Sequence, residues 1–118
     1  MASPACVHER VIVKIVYNKL IRDRIPEIIK SGGKQAQIEV MSEAEYRNAL
    51  LEKLVEEAQE AAKASDVDLV TEIADLYEVI DAVLVAWNIP REEVLQIQKE
   101  RRMQRGGFEE RLKLLWTE

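Results

Sequence analysis

The sequence has a single cysteine, Cys6, three prolines, four glycines, and aromatic residues at only 5% of its 118 positions. One cysteine cannot close an internal disulfide, so nothing in the cysteine content points to an oxidising compartment. So little glycine and proline excludes a low-complexity linker and leaves a β sandwich short of turn residues. The longest apolar run, Ala82 to Trp87, falls far below the roughly 18 residues of a membrane span. The opening stretch, MASPACVHER, has neither the basic start nor the apolar core of a signal peptide, and a cytoplasmic location is expected. Basic charge is also in short supply. Against 17 bases stand 22 acids, a net of −5, which argues against binding duplex nucleic acid.

What remains is 47% apolar and 33% charged, the composition of one folded domain that leans helical. Residues 1–16 read as an N-terminal extension, within which the β-branched Val11 to Val16 suggests a short strand or extended segment. Ile25-Pro26 opens a short helix that Ser31-Gly32-Gly33 ends, and Gln37 to Met41 reads as extended again. Ser42 with Glu45 forms a capping box, and Leu50, Leu51, Leu54, Val55, Ala58 and Ala61 recur at three- and four-residue steps through a helix of about 42–64. Ser65-Asp66 caps a second helix of about 67–87, carried by Leu69, Ile73, Leu76, Tyr77, Ile80 and Val83. A third helix, about 90–104, stops at Gly106-Gly107. Phe108, Leu112, Leu115 and Trp116 are spaced for a last short helix or a docking arm. The expected fold is all-α: an antiparallel bundle of about four helices with a short extended N-terminal segment. The domain spans 17–118, and its core is completed by oligomerisation, because the second helix is apolar nearly all round.

The carboxylates are placed unusually for such a fold. At 100° per residue Glu57 stands at the edge of the first long helix's apolar arc, with Lys53 and Glu60 beside it and Glu56 a little further round. On the second helix Glu72 borders the arc and Asp75 lies one step beyond. Antiparallel neighbours would bring Glu57, Glu60, Glu72 and Asp75 to one seam. Spacing alone fits a solvated acidic face as well, since Lys53–Glu57 is an ordinary i,i+4 pair. A second helix buried among partners favours the other reading, in which the acids need a cation. Hard oxygen donors in that number suit Mg²⁺, or Mn²⁺, with coordination positions left for phosphate oxygens. Glu78 and Asp81 repeat the same spacing on the opposite side of the helix, as a solvent face or an auxiliary set. Tyr77 and Trp87 read as core residues, and the lone His8 lies in the extension, away from any site.

Glu56-Glu57-Ala-Gln-Glu60 followed by Glu72-Ile-Ala-Asp75 resembles the E-E-x-x-E and E-x-x-D signature of the all-α nucleoside triphosphate pyrophosphatases. Tyr17 to Ile29 (YNKLIRDRIPEII) and Arg105-Gly106-Gly107-Phe108 are similar to blocks of a MazG-like, phosphoribosyl-ATP pyrophosphohydrolase-like branch, so the resemblance covers about 17–112. It implies a Mg²⁺-dependent enzyme that cleaves the α–β phosphoanhydride of a nucleoside triphosphate, releasing monophosphate and pyrophosphate. It also implies a homodimer or homotetramer. Metal ligation would fall to Glu57, Glu60, Glu72 and Asp75. Glu56 would orient or deprotonate the attacking water, with Glu57 shared between the metal and the catalytic pair. Phosphate oxygens would meet Lys19, Arg22, Lys53 and Arg105. A different class of reading is a helical dimerisation module without catalysis, whose acids form a regulatory surface.

Overall fold

The computed structural model describes residues 13–118. Cys6, His8 and the first residues of the expected strand lie outside that range, and Val13–Val16 belong to no regular element. The chain divides at Gln37–Ile38 into two units. In the first, α1 (Ile25–Ser31) has its proline in the first turn, where the missing N–H had no helical partner. Gly33 ends it at φ 77°, a backbone setting that favours glycine.

The second unit contains α2 (Glu43–Lys63), α3 (Asp66–Ala86) and α4 (Arg91–Arg105). All described regular structure is helical, so the fold is all-α. Both long helices start on a serine whose hydroxyl accepts the backbone N–H three residues on: Ser42 from Glu45 at 3.2 Å and Ser65 from Asp68 at 3.4 Å. Only Ala64 and Ser65 separate α2 from α3, so the two helices fold back as an antiparallel hairpin. The far end of the hairpin is tied by Arg47, near the start of α2. Its guanidinium donates to the Ala86 carbonyl at 2.8 and 3.2 Å and lies 5.1 Å over the Trp87 ring. The arginine thereby satisfies a terminal carbonyl of α3 and places a cation at the negative end of that helix. Replacing Arg47 by Ala is expected to cost about 1–2 kcal/mol, the size of a charged hydrogen bond with a cation–π contact. An unchanged urea midpoint would remove the clamp from this account.

Within the hairpin only Leu50 and Val79 are buried among the described residues, at 2% and 9% exposure. The seam on α3 is therefore centred on Val79, which the apolar periodicity left outside the main arc. Tyr77, read from sequence as core, is 61% exposed. Among the described residues, Val67, Val70 and Val85 of α3 are exposed as well. Gln37 to Met41, expected to be extended, belongs to no regular element. The tail after Gly106 is not helical: Arg111 sits at φ 57°, and so short a segment holds a helix only against a surface that buries its apolar side. No described helix is long and apolar enough to cross a membrane.

Candidate metal centre

Glu57 projects from the middle of α2, seven residues and nearly two turns beyond Leu50, on the same face. Glu72 precedes Val79 by the same interval on α3, so the packing that buries Leu50 and Val79 also turns these two carboxylates toward each other. Asp75 follows Glu72 by three residues. Glu57, Glu72 and Asp75 each offer a carboxylate oxygen, and the three oxygens lie within 4.8 Å of one another, all on partly buried side chains.

Glu60 is placed differently from the expectation. It is exposed and lies outside that close group, because three residues on from Glu57 the helix has turned about 60° off the seam. Its charge is still felt. Partial burial, then the negative charges of Asp75, Glu57, Glu60 and Asp68, raise the pKa of Glu72 above the usual carboxylate range. Asp68 was not among the residues singled out from sequence; its position four residues before Glu72 was the available signal.

Lys53 is drawn into the same seam. Its side chain is only 17% exposed, and Nζ lies 3.5 Å from Glu56 and 3.6 Å from Glu57. One lysine thus stands against a set of acids that includes Glu56, Glu57, Glu72 and Asp75, so the seam stays strongly negative. Two oxygens bound to one Mg²⁺ at about 2.1 Å are at most about 4.2 Å apart. The observed spread is a small side-chain rotation from that limit, and the donor set fits a hard divalent cation.

Arg105 stands elsewhere. It lines an open groove of about 990 Å³ with Arg101, Arg102, Gly106, Phe108 and Glu109, and none of the seam acids lines that groove. Arg102 is ion-paired with Glu109. Lys19 and Arg22 belong to the first unit, where Lys19 lies 5.9 Å over the Tyr17 ring. Asp81 pairs with Arg91 at 2.5 Å across the α3–α4 turn, so this member of the second acidic set holds α4 in place.

The raised pKa of Glu72 has a measurable consequence for the metal-free chain. An acid whose folded pKa exceeds its unfolded value stabilises the fold below the unfolded pKa, and that contribution is lost as pH rises through the folded one. In EDTA, Glu72→Gln is therefore expected to gain thermal stability over wild type as pH rises from the ordinary carboxylate range through the raised pKa of Glu72. A gap independent of pH would contradict the crowding of charge at Glu72.

These features define an all-α chain with a partly buried carboxylate triad at a helix-hairpin seam. No family model matches the chain, and no solved structure matches it. An uncharacterised protein from Mycolicibacterium smegmatis is 43% identical over 54 residues, which is 46% of this chain and 55% of that protein. The chain thus spans about half the length of the curated relative it matches.

Proposed function

We propose that the chain is a Mg²⁺-dependent nucleoside triphosphate pyrophosphohydrolase, which removes pyrophosphate from (d)NTPs or a related nucleotide in the cytoplasm as nucleotide-pool house-cleaning. The observation that carries this reading is the convergence of Glu57, Glu72 and Asp75 within 4.8 Å, at positions where the sequence resembles the pyrophosphatase signature. In this reading Glu57, Glu72 and Asp75 hold the ion, and Glu60 completes the shell from the rim. Bound there, Mg²⁺ (or Mn²⁺) would supply neutralisation of phosphate charge and a lowered pKa for water.

The chain's own residues do the rest. A carboxylate oxygen of Glu56 takes the proton of the attacking water, and Lys53 Nζ lies 3.5 Å from Glu56 Oε2. Of the cations that the resemblance gives to the triphosphate, Lys53 is the one beside the acids, 3.5 Å from Glu56 and 3.6 Å from Glu57. The same reading has the chain assemble as a homodimer or homotetramer. Its test is pyrophosphate release from a panel of dNTPs with and without Mg²⁺. Metal-dependent release from at least one nucleotide is expected. A folded, self-associating chain that releases none would instead be the interaction module with an acidic regulatory surface.

A further inference from the structure

One turn before Glu57 on α2, Lys53 directs its ammonium into the carboxylate seam. Nζ lies 3.5 Å from Glu56 Oε2 and 3.6 Å from Glu57 Oε1. Little water reaches the second pair: the Lys53 side chain is 17% exposed and that of Glu57 13%. The surface pairs Arg24–Glu27, Arg91–Asp81 and Arg102–Glu109 differ, each side chain being at least 48% exposed. Glu57 is also one of the three acids whose oxygens lie within 4.8 Å of one another. A single carboxylate thus belongs both to an ion pair and to the candidate metal centre.

We propose that Lys53 is an internal counter-ion of the seam, which a divalent cation has to displace from Glu57, so that this lysine sets the metal concentration at which the centre fills. The inference rests on the metal centre proposed above and names what controls its occupancy.

Three features support it. The first is shielding. Two positive charges on one carboxylate repel each other, and the repulsion is weakly screened where both side chains are partly buried. The second is orientation. A lysine four residues before a glutamate is the less favourable order for an i,i+4 pair, so support of α2 alone does not account for a lysine here. The third is the choice of base. Lysine carries a strongly hydrated point charge on a flexible stem, and Lys53 keeps enough exposure to swing its head to water once the carboxylate is taken. A guanidinium held by two parallel hydrogen bonds would let go less readily.

The test titrates Mn²⁺ calorimetrically into metal-free wild type, Lys53→Met, Lys53→Arg and Lys99→Met, with circular dichroism reporting the fold. Lys99 is exposed on α4, so its loss changes the net charge equally from outside the hairpin. Lys53→Met is expected to bind Mn²⁺ at least about tenfold more tightly than wild type, while Lys53→Arg binds no more tightly and Lys99→Met stays within about twofold. At the same Mn²⁺ concentration below saturation, Lys53→Met should gain more in melting temperature over its own value in EDTA than wild type does. Lys53→Gln carries the same expectations if Lys53→Met loses its helical signal.

A folded Lys53→Met that binds no more tightly than wild type overturns the competition and leaves the metal centre standing. An equal gain in Lys99→Met overturns it too, because the effect is then one of net charge. No saturable binding by wild type or by Lys53→Met overturns the metal centre and the competition together.

Discussion

Asp75→Asn is expected to lower metal-dependent pyrophosphate release by at least about 100-fold, the usual loss when one electrostatic stabiliser of a transition state is removed. Glu57→Gln should do the same, while Glu78→Gln, on the exposed opposite side of α3, should leave the rate unchanged. Stability separates this outcome from simple unfolding. In the metal-free chain Glu72 is crowded by Asp75, Glu57, Glu60 and Asp68, so removing the Asp75 charge relieves repulsion. Asp75→Asn should therefore melt no lower than wild type in EDTA and lose the stabilisation that Mg²⁺ gives wild type. A variant that melts lower in EDTA, or that keeps its rate, contradicts the assignment.

The second large effect falls on Leu50. It is the most buried apolar side chain among those described, and with Val79 it holds α2 against α3 and so fixes the distance from Glu57 to Glu72. Leu50→Ala is expected to cost about 2–5 kcal/mol, a large share of the roughly 5–15 kcal/mol by which small domains are stable. The denaturation midpoint measures it. Leu51→Ala is the control, because Leu51 is 44% exposed on the flank of the same helix and should cost much less. Equal losses at the two positions would mean that the hairpin seam lies elsewhere.

The parts of this fold legible in the sequence are those fixed by local chemistry. Ser42 and Ser65 announce their helices because a cap is a contact over three residues, and Gly33 and Gly106 announce the stops through left-handed backbone angles. The hairpin followed from the two caps and the single short turn between them. Glu57, Glu72 and Asp75 were legible because seven-residue and three-residue steps fix a helix face whatever packs against it. The Arg47–Ala86 bond spans 39 positions, and no local pattern marks it. Val79 was misplaced because α3 is apolar nearly all round, so periodicity gives the arc a width but no centre. Glu60 was drawn too far in, since a 60° offset separates the seam from its rim. The tail was read as a short helix or a docking arm because its spacing allowed either, yet a nine-residue helix needs a surface, and the described residues supply none for Phe108 or Trp116.

Calorimetric titration of Mn²⁺ into the metal-free protein at neutral pH asks whether the seam carboxylates take up a divalent ion. Wild type is expected to bind saturably, and Asp75→Asn to lose that binding while keeping its helical signal. Absence of saturable heat with a fully folded wild-type chain, or equal binding by wild type and Asp75→Asn, would contradict the metal-site assignment.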